Sequence, residues 1–435
     1  MQDKKSTISR RTFLRGSAAS IAAALAAAGP GKLLAEGIFA PNLLRQNKTV
    51  VLSVQSFAFD ALETVLPDFE SQTGLTVALE NGPVTGEDML TQYSPAFASG
   101  NSPLDVMSDA DESSPAFMRA GWVIPLNDVI PQATWDDFPA SMQPQIDTFL
   151  SINGERYRIP HEFAVGYFFT RKDWLDAKGV KAPTTWDELV SIGKEFTDQT
   201  TGVYGTSDAL IKPGLMYVFV AYLAAQSGGS VFDFDEQTGV ALQFLYDMIY
   251  THKIFPEEAL NDDYTAQNAL YTSDKIAFMR EWPFFEDVGK GLTDWYQPDK
   301  MVIELPPAGA AGAKSWIGGH GWSIPTSAPN MDGAKALLQF LTSVEVAPKL
   351  AAAQSFLLTP RKSILAALAS QNNPIINAIQ QYSDANVFSA RPFNPRLSEA
   401  QTVVDDIASL FLTKQASLAD ALKQGKDQMA ALANG

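Results

Sequence analysis

Cysteine is absent from all 435 residues, and histidine occurs only three times. Without cysteine there is no disulfide, no thiolate metal site, no cysteine nucleophile and no lipid-modified N-terminal cysteine. His161, His252 and His320 stand far apart and no His-Glu-x-x-His occurs, so zinc and non-haem iron chemistry are not expected. Positive charge is also scarce: 32 Lys and Arg face 49 Asp and Glu, a net charge of −17. That balance argues against a nucleic-acid surface, which needs clustered cations to displace counterions, and it disfavours a highly anionic ligand unless a local basic pocket opposes the field. No apolar run approaches the ~20 residues that span a membrane. What is present, 46% apolar and 19% charged residues, describes a globular chain long enough for two or three compact units.

The N-terminus carries an address. Ser9-Arg10-Arg11-Thr12-Phe13-Leu14-Arg15 follows Lys4 and Lys5 and precedes a mild, Ala-rich stretch from Ser17 to Ala28. A charged start, a short weakly apolar stretch and small residues afterwards resemble a signal peptide of the twin-arginine type. Residues 1–40 are read as that signal, with cleavage between Ala35 and Ala40. The mature protein is then expected free in a periplasm, without a lipid anchor.

Past it, the pattern alternates strand and helix. Thr49–Val54 is a β-branched run suited to a buried parallel strand. Phe59–Thr73 reads as a helix closed by Gly74, Leu75–Leu79 as a strand and Pro103–Met107 as a third. The second half repeats the grammar: helices at Val240–Tyr250 and Asp263–Tyr271, strands at Ile276–Arg280, Val302–Leu305 and Gly321–Pro325, and a helix at Gly333–Leu341. Thr342 and Glu345 have capping-box spacing, which predicts a helix restarting toward Ala353. The stretch from Ser398 reads as helical, with Gly425 as a weak point. Such alternation predicts α/β sheets covered by helices.

The most informative segment lies between. Asn153-Gly154 separates two extended stretches, Thr148–Ile152 and Arg156–Pro160, and these residues accept the positive φ of a two-residue hairpin turn. An apolar strand, Phe163–Phe169, leads to Lys172-Asp173-Trp174-Leu175, which opens a helix ending at Gly179. Thr185 and Glu188 then mark a second helix start, with Trp186, Leu189, Val190 and Phe196 on one face. The order and wording of this segment resemble the sugar-type extracellular solute-binding proteins of ABC importers. That family pattern is kept at Tyr157, Pro160, Lys172, Asp173, Pro183, Thr185, Trp186, Glu188 and Leu189. It is broken by Arg158 in place of Gly and by Thr170-Arg171 in place of Tyr-Asn. Ile276–Pro283, Gly318–Ile324, Ala334–Val346 and Thr359-Pro360-Arg361 resemble further motifs of the family in the same order.

The resemblance implies a two-lobe periplasmic binding protein fold of type II, each lobe a mainly parallel sheet flanked by helices. Lobe 1 is expected over 41–160 plus 306–345, and lobe 2 over 161–305 plus 346–435. Pro160 and Pro306-Pro307-Ala308-Gly309 are the hinge candidates. It also implies a carbohydrate held in the cleft, delivery to the permease of an ABC importer, a monomer, no cofactor and no catalysis.

Sugar sites need flat apolar faces for the C–H side of a pyranose and planar polar groups for its hydroxyls. Trp282 ends a strand just before Pro283, where ligands gather in open α/β sheets, and is the first stacking candidate. Phe284 is the second platform, and Trp322 the third aromatic considered. Asp109, Asp111 and Glu112 are placed past the end of the third strand, where the family has ligand-contacting polar residues; Asp105, at its start, reads as structural. Glu162 falls at the crossing between lobes. Gly319 and His320 form a glycine-rich turn that lets backbone approach a ligand. Arg361 can donate a forked pair of hydrogen bonds to adjacent hydroxyls or else pair with an acidic neighbour.

Catalytic motifs fail on context. Ser191-Ile192-Gly193-Lys194 sits mid-helix without companions, and Gly309–Ser315 lacks phosphate-loop spacing. Two rivals stay open: a receptor for a polyamine or other cation, favoured by the acidic balance, and a secreted glycan-processing enzyme, which needs two carboxylates about 5–10 Å apart.

Overall fold

The computed structural model describes residues 48–434 apart from Thr293, Pro298, Asp299 and Asn372. The signal segment expected over 1–40, with its cleavage site, lies outside the described residues. Among the described residues no helix is long and apolar enough to cross a membrane.

In chain order the strands are β1 Thr49–Val54, β2 Thr76–Asn81, β3 Val106–Ala110, β4 Ser151–Ile152, β5 Glu155–Arg156, β6 Ile159–Pro160 and β7 Ala164–Val165. They continue as β8 Tyr167–Arg171, β9 Tyr204–Ser207, β10 Ile276–Glu281, β11 Met301–Glu304, β12 Ser315–Gly318, β13 His320–Ser323 and β14 Phe388–Ala390. A first sheet has the order β2-β1-β3-β13-β6, a second β11-β8-β10-β9 and a third, small one β14-β12-β7. β3, β8 and β10 are buried at every residue, as strands covered on both faces must be.

The sheets are mixed, which corrects the expectation of mainly parallel ones. β1 runs parallel to β2 and β3, but β13 is antiparallel to both β3 and β6. In the second sheet β8 is antiparallel to β10 and β11, and only β9 and β10 are parallel. The physical reason is the connection: β13 and β6 enter the first sheet straight from the other sheets, with no strand–helix–strand return to impose a parallel course.

The turn, stop and cap signals of the central segment are realised, but Thr148 and Phe149 close the helix Gln143–Phe149, and the strand read over Phe163–Phe169 divides at Gly166 into β7 and β8 of two different sheets. β4 and β5 pair in register across Asn153 (φ 54°) and Gly154 (φ 83°), a two-residue turn with positive φ at both centres. The helix Lys172–Lys178 ends at Gly179 (φ 69°). Thr185 Oγ1 accepts the Glu188 N–H and caps Trp186–Phe196, while the Glu188 carboxylate reaches one residue further back, to Thr184.

Four further expectations shift. The helix read over Phe59–Thr73 is two helices, Phe59–Glu63 and Leu66–Thr73, broken where Pro67 begins the second. The third strand starts later than Pro103, which has no N–H for a ladder, so Asp109 lies inside β3. The 342–345 capping box does not form: Ser343 Oγ accepts the Val346 N–H and the helix runs Ala347–Ala353. Gly425 lies within the helix Leu418–Asn434 and is a packing site, because a Cβ there would fall 2.4 Å from the Phe234 ring.

Two expected boundaries do not coincide with changes of packing partner. Pro306–Gly309 is tied to the second sheet's helices: Ala308 N–H donates to Thr184 O, Trp186 N–H to Ala308 O, and Gly309 abuts the Gln226 carbonyl. Residues 308 and 309 are therefore tied to that side. Conversely, Ala347–Ala353 packs on Phe59–Glu63, beside the first sheet. Two passages between the larger sheets run through the small one: β6 leads to β7, and β12 leads to β13 across Gly319, while β14 adds a third segment beside β12.

Candidate functional site

The carboxyl end of β3 meets both passages and the segment that follows β14. Asp109 is fully buried and opposite Gly321 in the β3–β13 ladder. Its Oδ1 accepts from Ser113 Oγ at 2.5 Å and its Oδ2 from Ser323 Oγ at 3.3 Å. Burial pushes its pKa up to about 6 against the opposing pull of Arg158. Asp111, 1% exposed, accepts from Arg158 through Oδ1; its Oδ2 takes Gln145 Nε2 at 2.7 Å, the Gly319 N–H at 3.0 Å and Arg391 at 3.4 Å. Glu112 accepts from the other Arg391 nitrogen, and although burial opposes it, that guanidinium holds its carboxyl below the usual range.

Beside this network Glu162 Oε2 accepts both the His320 N–H at 3.1 Å and His320 Nδ1–H at 2.7 Å. Glu162 stands between β6 and β7, and His320 opens β13, so the pair joins the first passage to the second. His161 is buried under it, hydrogen-bonded to Ser108 at 2.9 Å and stacked on Trp322 with centroids 4.0 Å apart. Burial drives its pKa well down, so it is neutral.

The carboxyl end of β10 is built differently. Arg280 forks onto Asp208 at 2.7 and 2.8 Å, both fully or nearly fully buried. Trp282 lies across that guanidinium at 4.9 Å, donates its indole N–H to Tyr264 at 2.7 Å and meets Trp316 edge-on at 5.3 Å. Arg391 covers the far side of Trp316 at 4.9 Å. Arg280, Trp282, Trp316 and Arg391 thus form one ladder from the second sheet through the small sheet to the acidic end of β3. Glu281 is fully buried with Oε1 on the Trp282 N–H and Oε2 unpartnered, and burial pushes its pKa up to about 8.

The structure brings together Asp109, Asp111, Glu112, Glu162, Gly319 and His320, links Trp282 to them through Trp316 and Arg391, and places Phe284 against Tyr264 at the start of the next helix. Two candidates fall away from it. Trp322 is 2% exposed within the first sheet's core. Arg361 is buried against Asp137 and the Thr342 carbonyl, the ion-pair alternative foreseen for it. Two others change character: Asp109 is sealed inside β3, and Gly319 (φ 142°) gives its N–H to Asp111, with backbone so close that a Cβ would fall 3.0 Å from Glu162 O. Asp105 is structural as expected, accepting the Val51 and Asn330 N–H groups. Arg391, Trp316, Arg280, Asp208 and Tyr264 were missed. Arg158 was visible only as an Arg where the family pattern has Gly, and an isolated Arg in a buried turn demands a carboxylate partner.

Three comparisons fit this geometry. Maltose-bound MalE3 of T. maritima superposes with a TM-score of 0.76 at 22% identity, covering 88% of this chain and 99% of that one. The GacH receptor of Streptomyces glaucescens gives 0.76 at 20% identity, over 89% and 98%. These likenesses establish an α/β, two-lobe periplasmic binding protein fold of type II. Residues 56–348 match the bacterial extracellular solute-binding proteins, and the chain belongs to that family. The arabinooligosaccharide-binding protein of Halalkalibacterium halodurans is 27% identical over 220 residues, 46% of this chain; the match spans about half, 48%, of that relative's length.

Proposed function

We propose that the protein captures a neutral carbohydrate between its lobes and hands it to the permease of an ABC importer, without chemistry of its own. The observation that carries this reading is the tryptophan–arginine ladder, an aromatic face at Trp282 flanked by carboxylates already matched to arginines. Asp208 is neutralised by Arg280, and Asp111 and Glu112 by Arg158 and Arg391. Glu281, with its pKa near 8, is largely uncharged at pH 7. Glu162 has His320 instead of an arginine, and Asp109 is sealed against Ser113 and Ser323. A polyamine therefore meets no carboxylate free of a partner, and an anionic sugar meets no unpaired guanidinium. Sugars have flat C–H faces and many weak hydroxyl partners, which suits such a surface. MalE3 binds maltose and a relative is named for arabinooligosaccharides, which supports the class without fixing the sugar.

In this reading Trp282 is the platform, with Phe284 and Tyr264 beside it. Glu162, Glu112 and His320 present polar edges from the facing lobe, with Asp111 buried behind them. The lobes comprise about 49–160 with 319–368, and about 164–318 with 374–434, which moves the expected boundaries at 306 and 346. Export by the twin-arginine route, a periplasmic and unanchored mature protein and a monomeric state complete the proposal.

A thermal-shift series with maltotriose, arabinotriose, spermidine and galacturonate tests it. A neutral oligosaccharide at 100 times its Kd stabilises by roughly 2.7 kcal/mol and is recovered intact. Stabilisation by spermidine alone, or hydrolysis of the sugar, overturns the reading.

A further inference from the structure

His320 faces an acceptor with each ring nitrogen. Nδ1 lies 2.7 Å from Glu162 Oε2, and Nε2 lies 3.3 Å from the carbonyl of Val84. A carboxylate and a carbonyl have no proton to give, so both contacts are hydrogen bonds only when both nitrogens carry hydrogen. The neutral ring must abandon one of them. His320 also accepts, through its backbone carbonyl, the N–H groups of His161 and Glu162 at 3.1 and 3.2 Å. His320 thus joins the first passage, the second passage and the tip of the loop 82–85 that leads into the helix Gly86–Ala98, a loop whose start is tied separately by the Gly82 N–H to Val54 O and by Gln55 Nε2 to Pro83 O. That loop lies over the acidic end of β3, where a Cβ on Gly86 would fall 2.4 Å from Glu112 Cβ.

We propose that His320 is a protonation-dependent clasp: as the imidazolium it fastens the loop 82–85 to the paired passages, and on losing its Nε2 proton to solvent it releases that loop from Glu112. The proton kept on Nδ1 stays with the stronger acceptor, the Glu162 carboxylate, while the bare Nε2 lone pair then opposes the Val84 carbonyl. The groups facing the ring are Glu162 from the first passage, Glu112 after β3, Arg158 before β6, the neutral His161, and the Phe356 ring at 5.2 Å. Burial lowers the imidazole pKa, but Glu162 and Glu112 together outweigh burial and Arg158, and the net direction is upward. With the folded pKa above its unfolded value of 6.5, the stability the clasp contributes is fully present below pH 6.5 and is lost as pH rises through the folded value. The inference does not depend on which solute is bound.

Nitrogen-15 histidine NMR on the ligand-free protein, from pH 5.5 to 9, reads the ring directly. At pH 6 both His320 nitrogens are expected to be protonated, with a midpoint above 6.5. Hydrogen exchange of the Val84–Gly86 amides, corrected for intrinsic rate, is expected to rise about tenfold across the same window, the worth of one charge-assisted hydrogen bond. His320→Gln abolishes that pH dependence, and Glu162→Gln moves the His320 midpoint down. A single neutral tautomer at pH 6 overturns the proposal without any substitution, and so does an exchange profile that His320→Gln leaves unchanged.

Discussion

The carboxyl ends of β3 and β10 both carry a buried Asp paired with Arg, yet they use the pair in opposite ways. At β10, Asp208 and Arg280 come from neighbouring strands of one sheet, and the fork fixes a guanidinium under the Trp282 ring. At β3, Asp111 draws Arg158, Gly319 and Arg391 together from three separate segments of the chain. The first arrangement shapes a surface; the second holds segments in place. A buried charge that loses its partner costs far more than the pair contributes, so the β3 cluster specifies where the passages sit rather than adding stability.

The largest expected effect follows from that difference. Arg391→Ala takes away the ion-pair partner of Glu112 and one of the donors to Asp111, which keeps Arg158, and it empties the space over Trp316; it is expected to cost about 3–5 kcal/mol in denaturant melting. A loss below about 1 kcal/mol would mean the cluster relaxes or hydrates easily, and the contrast with β10 would fail.

Trp282→Ala tests the other side. With a bound oligosaccharide it is expected to cost roughly 2 kcal/mol of affinity, about thirtyfold, by calorimetric titration. Its stability loss should stay below that of Trp322→Ala, a core truncation of ~3–5 kcal/mol. If Trp282→Ala instead leaves affinity intact while melting the protein, the ladder is core and the sugar face lies elsewhere.

The same contrast explains what the sequence could tell. The Asn153-Gly154 turn, the Gly179 stop and the Thr185 cap are decided within a few residues, and each appears where its spacing placed it. Trp282 does follow a strand end, as expected, because strand ends are recognisable locally. Arg391 and Trp316 were not, because β12 and β14 have four and three residues and are strands only through pairing with each other and β7. Arg391 meets Asp111 across 280 residues, a distance no local pattern spans. Trp322 was misplaced for a related reason: the glycine-rich turn before it is real, but the ring points into the first sheet's core.

Glu281 sharpens the comparison through pH. Its pKa rises from 4.5 to about 8 in the fold, burial being the largest cause and Arg280 opposing it. An acid with a raised folded pKa contributes stability that is complete below the unfolded value and lost as pH climbs through the folded one. Glu281→Gln, which keeps shape and cannot ionise, is therefore expected to match the wild type near pH 4.5 and to exceed it by on the order of 1 kcal/mol or more near pH 8.5. Parallel melting curves at both pH values would show that Glu281 is ionised in the fold.

The smallest effect is expected at Phe284. Its ring opens the helix Phe284–Gly291 and meets Tyr264 edge-on at 6.3 Å, while the Tyr264 hydroxyl already accepts the Trp282 indole N–H. Phe284 then acts on the sugar face through Tyr264, and an edge-on aromatic pair contributes only about 0.5–1.5 kcal/mol beyond its buried area. Phe284→Ala is accordingly expected to weaken the same oligosaccharide by less than about tenfold. In a double-mutant cycle with Trp282→Ala the two losses should not add, because the second substitution removes what the first was positioning. Full additivity would make Phe284 a platform in its own right, and the β10 region would then present two independent sugar faces instead of one supported face.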